Sequence, residues 1–94
     1  RSMAETAKAL GNAFLRDKKF EQAIEAYTKA LEHDEDDASR YVYYCNRSAA
    51  RLLRAKEVES DGSVRDRMIR EAEKDARRCV ELKGTYAKGY VRCV

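Results

Sequence analysis

The 94-residue sequence contains no proline and no tryptophan, and it has four glycines, three cysteines and one histidine. Ala, Glu, Lys, Leu and Arg dominate instead, which is the composition of helices with polar outer faces. No apolar run approaches the length of a membrane span, and no signal-peptide core is visible. We therefore expect a single small all-α domain that does not enter a membrane.

The sparse functional side chains argue against catalysis and cofactor binding. His33 is the one histidine and has no catalytic partner in the sequence. The sequence offers no nucleophile beside a base, no phosphate-binding loop and no metal-ligand spacing. The acidic run from Asp34 to Asp37 lacks the glycine and the alternating ligands of a calcium loop, so it predicts a solvated turn. We expect no enzyme, no cofactor and no metal.

The cysteines indicate the redox compartment of the protein, and the charge balance indicates the kind of partner. Cys45, Cys79 and Cys93 are odd in number, and no two are spaced as a metal knuckle or redox pair. They are interpreted as small apolar residues in a reducing compartment, which predicts a cytoplasmic protein. The net charge of +3, from 20 basic and 17 acidic residues, is too balanced to indicate nucleic acid and favours an acidic partner.

The apolar periodicity predicts a series of antiparallel helices. Ser60-Asp61-Gly62 is the clearest loop signal, Ser63 with Asp66 resembles a capping box, and Gly84-Thr85 is expected to end the fourth helix. The third helix is expected to start near Ala38 with Asp37 or Ser39 as its cap. The predicted helices cover residues 4–18, 20–33, 38–59 and 64–83, and a fifth begins near residue 86.

Two helix pairs repeat one pattern of small and aromatic residues. In the first pair, Gly11 and Ala23 are small where the two helices cross, while Phe14 and Tyr27 fill the space beside the crossing. The pattern Leu-Gly, aromatic, Ala, aromatic, Ala over residues 4–37 resembles the tetratricopeptide repeat (TPR). The inward positions of this first pair are Ala7, Leu10, Gly11, Phe14, Ala23, Ile24, Tyr27, Ala30 and Leu31.

The second repeat has the same pattern but is longer. Ser48 takes the place of Gly11 and Ala72 that of Ala23, so the spacing is 24 positions instead of 12. Both helices are therefore expected to grow by one to two turns. The resemblance implies one TPR domain over residues 1–94. Repeat one spans 4–37, repeat two spans 38–86 with an insertion around 55–66, and the first helix of a third repeat spans 87–94.

One face of the A helices, the first helix of each repeat, carries hydrogen-bond donors and apolar residues. It lies opposite the residues that pack on the B helices. No carboxylate occurs among the positions assigned to this groove, so its complement is a pair of carboxylates, such as a peptide C terminus beside an acidic side chain. The donors are Lys8, Asn12, Asn46, Lys88 and Arg92, and the apolar floor is Leu15, Ala49 and Leu52.

The five donors also resemble the carboxylate clamp of co-chaperone TPR domains, the family of the Hsp-organising protein (Sti/Hop) and the small glutamine-rich TPR co-chaperones. The matching strings are Lys-Ala-Leu-Gly-Asn, Asn-Arg-Ser-Ala-Ala and Ala-Lys-Gly-Tyr-Val-Arg. The resemblance implies a peptide-binding adaptor for the Glu-Glu-Val-Asp tails of the seventy- or ninety-kilodalton heat-shock chaperones. Lys8, Asn12, Asn46 and Lys88 would share the terminal aspartate, Lys88 and Arg92 would also hold the backbone and upstream acids, and the apolar floor would contact the valine.

The sequence is also compatible with functions other than peptide binding in the groove. A scaffold could bind a protein partner through its convex face or through the elongated second hairpin. The row of Arg47, Arg51 and Arg54 could bind nucleic acid, although solvent exposure or pairing with acids of the fourth helix is the plainer interpretation. We also expect self-association through the apolar end of the chain, Tyr90, Val91, Cys93 and Val94.

Overall fold

The computed structural model describes the backbone of residues 2–58 and 62–91 and the side chains as far as Gly84. Within these ranges the chain forms four helices: α1 Met3–Arg16, α2 Phe20–Glu32, α3 Asp37–Glu57 and α4 Gly62–Val91. Each helix packs on the next one along the chain. The predicted all-α series of antiparallel helical hairpins is confirmed. Ser60 and Asp61 of the predicted loop lie outside the described residues.

Among the described residues, side chains cap the N-termini of α1 and α3. At α1, the Ser2 hydroxyl accepts a hydrogen bond from the backbone N–H of Glu5 at 3.1 Å, and the Glu5 carboxylate accepts one from the backbone N–H of Ser2. At α3, the Asp36 carboxylate accepts from the N–H of Ala38 at 3.0 Å. The α3 cap is therefore Asp36, one residue before the predicted Asp37, because Asp37 is already helical.

The crossing of α1 and α2 is as close as the small residues predict. A Cβ atom at Gly11 would lie 2.6 Å from Cε1 of Tyr27, so only glycine allows this approach. Ala23 and Tyr27 are fully buried there, and Phe14 packs against them. Leu10 was predicted to point inward, which is wrong: it is 51% exposed, because the contact with α2 runs through Gly11 and Phe14 and leaves Leu10 at its edge.

The second hairpin repeats this crossing with a hydrogen bond. The Ser48 hydroxyl donates to the carbonyl oxygen of Ala72 at 2.8 Å, which brings together the two positions that the sequence register equates with Gly11 and Ala23. The predicted elongation is confirmed for α3, which has 21 residues against 14 in α1. The difference is about two helical turns.

Two predicted boundaries of α4 are wrong. The helix begins at Gly62, so Ser63 lies inside its first turn and not before it. It also continues through Gly84 to Val91 instead of ending there, and no separate helix starts at Tyr86. A glycine within a helix costs only about 1 kcal/mol relative to alanine, and no proline follows to break the helix.

The inward face of α4 also differs from the one that the apolar pattern predicts, which is Val64, Met68, Ala72, Ala76, Cys79 and Val80. Met68, Ala72 and Cys79 are buried as expected, but Ala76 is exposed and Val80 is 70% exposed. Their places in the core are taken by two residues that the apolar pattern did not indicate, Asp75 and Leu82. Asp75 can occupy a core position because two arginines of α3, Arg47 and Arg51, form ion pairs with its carboxylate.

Candidate functional site

Asn12 of α1 and Asn46 of α3 are joined by a hydrogen bond. These residues are far apart in the sequence, and each lies on the predicted groove face of its helix. The Nδ2 atom of Asn46 donates to Oδ1 of Asn12 at 3.4 Å. The fold therefore joins one predicted donor from each of the first two repeats into a pair of neighbouring amides.

Tyr27 orients this amide pair from the core. Its hydroxyl donates to the same Oδ1 atom of Asn12 at 2.6 Å, while its ring is fully buried. Burial raises the pKa of the Tyr27 phenol, and the nearby charge of Arg16 opposes that effect. Because Oδ1 of Asn12 accepts from two donors, the Nδ2 atom of Asn12 is turned away and has no protein acceptor among the described residues. Sequence reasoning treated Tyr27 as packing alone and missed this role.

Lys8 lies nearby on α1, in surroundings more acidic than predicted. It lines a cavity of about 320 Å³ together with Glu5, Asp34 and Asp36. The expectation of a groove face free of carboxylates is therefore wrong. Glu5 precedes Lys8 by three residues, which places it on the same side of α1.

These carboxylates are nevertheless engaged with the protein. Asp34 accepts the hydroxyl of Tyr43 at 2.8 Å and the backbone N–H of Asp36 at 2.9 Å, while Glu5 and Asp36 cap α1 and α3. Burial, followed by the contact with Asp34, raises the pKa of Tyr43 to about 12. In the described part of the chain Lys8 makes no ion pair within 4.0 Å. Its ammonium group is available to a ligand.

The predicted apolar residues divide between two places. Ala49 and Leu52 line a cavity of about 920 Å³ between α3 and α4, and Leu52 is 44% exposed. Leu15 instead packs against the buried cluster of Ala23, Tyr27 and Ala50. The remaining residues of the cavity are Leu53, Ala55, Lys56, Arg65 and Ile69.

The two predicted donors of the third repeat are only partly within the described structure. Lys88 lies on α4, not on a separate helix, and its side chain is outside the described residues, as is the whole of Arg92. Because α4 runs antiparallel to α3, its C-terminal end returns to the end of the bundle where α3 begins. Ser39 and Val42 at that end of α3 line the cavity beside Lys8.

The arginine row of α3 is occupied by protein carboxylates. Arg47 forms a bidentate pair with Asp75 of α4, at 2.7 and 2.9 Å, and Arg51 reaches the same carboxylate at 2.6 Å. Arg54 pairs with Glu21 of α2 at 3.1 Å. The prediction that some of these arginines pair with acids of the fourth helix is confirmed. Their engagement removes the main feature that favoured nucleic-acid binding.

The described residues contain no cluster of three or more His, Cys, Asp or Glu side chains placed to hold a metal ion. Among the same residues, no helix combines the length and the apolar character needed to cross a membrane.

The first hairpin, α1 and α2, has the close helix crossing at Gly11 that the repeat pattern of the sequence predicts. Comparison with known protein families agrees with this pattern. Residues 4–37 match the family model of the tetratricopeptide repeat. The chain carries a TPR. This repeat contains Lys8 and Asn12 on its first helix and Tyr27 on its second, so the first half of the candidate site lies within it.

The relatives extend the similarity beyond this TPR. The chain is 37% identical over 90 residues to the heat shock protein sti1 homolog of Schizosaccharomyces pombe, covering 96% of the chain and 13% of that protein. It is 33% identical over 89 residues to DnaJ homolog subfamily C member 7 of Homo sapiens, covering 95% of the chain and 15% of that protein. It is 28% identical over 91 residues to Hsp70-Hsp90 organizing protein 3 of Arabidopsis thaliana, covering 97% of the chain and 14% of that protein.

The chain thus spans 13 to 15% of the length of these relatives. No solved structure matches the chain significantly. The similarity therefore concerns a short segment of much longer proteins.

Proposed function

We propose that this chain is a co-chaperone or adaptor module that binds the acidic C-terminal tail of a heat-shock chaperone through a carboxylate clamp. The amide pair of Asn12 and Asn46 carries this proposal, because Tyr27 holds it beside Lys8, which forms no ion pair with the described residues. The pair presents N–H donors, and Lys8 adds a positive charge. Carboxylate oxygens accept such hydrogen bonds and carry the opposite charge, so a peptide C terminus suits the site.

In this proposal each group of donor residues binds a different part of the peptide. Lys8, Asn12 and Asn46 hold the carboxylates of the last residue, Lys88 joins them, and Arg92 binds the upstream acids. Ala49 and Leu52, which border the apolar cavity, contact the penultimate apolar side chain. Binding of this kind needs no catalytic step and no cofactor.

The relatives support the choice of partner. One is named a heat shock protein homolog, a second a DnaJ homolog, and a third an organizing protein of Hsp70 and Hsp90. A tail ending in Glu-Glu-Val-Asp supplies a terminal carboxylate, an acidic side chain at the same residue and an apolar residue before it. We propose this tail as the ligand.

The expected affinity follows from the number of charge-assisted bonds. Each contributes about 1.5–3 kcal/mol before the ordering of the peptide is subtracted. A dissociation constant on the order of micromolar results, and added salt weakens it because the groups at the site are partly exposed to solvent.

Calorimetric titration of a Glu-Glu-Val-Asp peptide tests the proposal. Lys8→Ala, Asn46→Ala and Lys88→Ala should each weaken binding about tenfold or more, the value expected for losing one bond to a charged group. Lys74→Ala removes an equal charge from an exposed position on α4 and should leave binding unchanged. Absence of binding at hundreds of micromolar, or equal affinity in all variants, would refute the proposal.

The elongated second hairpin supports a second candidate, a scaffold role. Its cavity between α3 and α4 is apolar and open, with Leu52 44% and Leu53 37% exposed. A protein partner seated there would be lost on Ile69→Ser, on the α4 wall of the cavity, whereas tail binding, which uses Ala49 and Leu52 of α3, would persist. Retention of such a partner by the variant would exclude this site.

A further inference from the structure

The end of the molecule formed by α1 and α2 exposes apolar side chains. Met3 is 67% exposed and Leu10 is 51% exposed, and both line a cavity of about 310 Å³ between the two helices. They lie on the same side of α1, because seven positions return a helix to nearly the same direction. Asn12 lies on the opposite side of α1, where it contacts α3. The α1–α2 patch, which faces away from α3, consists of Met3, Leu10, Lys29 and Glu32.

A second exposed apolar surface lies on α4. Val80 is 70% exposed, and Ala76, one turn before it, is also exposed. Glu71 lies on the side of α4 that faces the first hairpin, because it lines a cavity together with Ile24 of α2. Val80 follows Glu71 by nine positions, about two and a half turns, so it lies on the opposite side of α4. The α4 patch, which faces away from the first hairpin, consists of Glu73, Ala76, Arg77 and Val80.

The two patches lie at opposite ends of the series of helices. Each helix packs on the next one along the chain, so α1 is at one end and α4 at the other. Because α2 and α4 are each the second helix of an antiparallel hairpin, they run in the same direction. A second copy that continues the series beyond α4 would therefore place its own α2 parallel to that helix.

The charged residues of the two patches complement each other in this arrangement. On α2, the basic Lys29 precedes the acidic Glu32 by three positions. On α4 the order of charge is reversed, since the acidic Glu73 precedes the basic Arg77 by four positions. Both spacings are about one helical turn, so parallel helices place each of these residues opposite one of the other sign. None of the four forms an ion pair with the described residues of its own chain.

The apolar residues meet in the same register. Val80 is seven positions after Glu73, so it lies beyond the end of α2 when Glu73 is opposite Lys29. Met3 lies at that end of the hairpin, because it lines one cavity with His33, the residue that follows α2. Val80 of one copy therefore comes to lie on Met3 of the next, and the contact removes apolar surface of both from water.

We propose that the chain binds a second copy of itself head to tail, with the α4 patch of one copy against the α1–α2 patch of the next. Because the two surfaces differ, the contact is heterologous, and each bound copy keeps one free patch for a further copy. Asn12 of the proposed clamp lies on the other side of α1 and stays open to its ligand. The contact does not use the chain end predicted to self-associate, Tyr90, Val91, Cys93 and Val94, whose side chains lie outside the described residues.

Sedimentation velocity in a reducing buffer, at concentrations from about 10 μM to about 1 mM, tests the proposal. The average mass of the wild type should rise with concentration, while Leu10→Glu and Val80→Glu should each remain monomeric. Both positions are exposed, so the substitutions leave the fold intact, which helical circular dichroism checks. Ala9→Glu adds the same charge at an exposed position of α1 outside the patch and should associate like the wild type.

An equimolar mixture of the two variants distinguishes this contact from other kinds of dimer. Leu10→Glu keeps an intact α4 patch, and Val80→Glu keeps an intact α1–α2 patch. The mixture should therefore form a species of two chains and nothing larger, although each variant alone is monomeric. Mixing would not restore a contact between two identical surfaces.

Exchanging one pair of charges tests the register. Lys29→Glu should weaken association about two- to fivefold, as expected for an exposed ion pair, and adding Glu73→Lys to the same chain should restore it. A wild type that stays monomeric up to the highest concentration would overturn the proposal. So would association that persists in Leu10→Glu or Val80→Glu, a mixture that stays monomeric, or a double variant that associates no better than Lys29→Glu alone.

Discussion

The hydroxyl of Tyr27 donates a hydrogen bond to Oδ1 of Asn12 over 2.6 Å. This contact joins the buried crossing of α1 and α2 to the candidate binding surface. Gly11 permits it, since any Cβ atom there would collide with the Tyr27 ring. The residue that packs the repeat therefore also decides which way the Asn12 amide faces.

Tyr27→Phe should weaken tail binding while the fold remains. The substitution keeps the ring and removes one hydrogen bond, worth about 0.5–1.5 kcal/mol. Asn12 loses the donor that orients it, and affinity for the peptide should fall about two- to tenfold. Calorimetry of the variant measures this fall. Tyr41→Phe, a tyrosine of α3 outside this contact, is the matched control, and an equal loss in both variants would contradict the orienting role.

Asp75→Asn should destabilise the chain strongly. The neutral amide leaves Arg47 and Arg51, whose side chains are only 14% and 20% exposed, without their counter-charge. Breaking such a pair costs about 3–5 kcal/mol when buried, and the partial exposure here lowers the expected loss to about 2–4 kcal/mol. Urea unfolding measures it. Asp66→Asn at an exposed position should change the midpoint little, and a similar effect of the two substitutions would argue against the network.

Alkaline pH should weaken the fold through Tyr43. Its pKa is raised from 10.0 to about 12 by burial and by Asp34, so folding favours the neutral phenol. The stabilisation is fully present below pH 10 and is lost as the pH rises from 10 to about 12. The free energy of unfolding should fall over this window in the wild type and fall less steeply in Tyr43→Phe. Parallel slopes for the two proteins would disprove this contribution.

Gly84→Ala should stabilise α4. A Cβ atom at Gly84 meets no other atom within 4 Å, and alanine favours a helix by about 1 kcal/mol over glycine. Helical circular dichroism should be maintained or rise, and the melting temperature should increase by several degrees. If Gly84 instead ended the helix, as the sequence pattern suggests, the alanine variant would be destabilised.

The sequence predicted the helix crossings well, for a physical reason. Close approach of two helices requires small residues where they cross. The sequence therefore has small residues at a fixed spacing. Gly11 with Ala23 and Ser48 with Ala72 were located in this way, and with them the elongation of α3. The meeting of Asn12 and Asn46 follows from the same register.

Features that depend on a contact with a distant segment of the chain could not be predicted from residue spacing. Asp75 interrupts an apolar stripe and is buried only because Arg47 and Arg51 reach it from α3. Gly84 has the local signature of a helix end, yet a single glycine costs too little to break a helix that nothing else interrupts.

The proposed clamp recognises the terminal carboxylate of its peptide. The most direct measurement compares two peptides of identical sequence ending in Glu-Glu-Val-Asp, one with a free C terminus and one with a C-terminal amide, against the wild-type chain. We expect a dissociation constant on the order of micromolar for the free acid and at least about tenfold weaker binding of the amide. Equal affinity for the two peptides would contradict it.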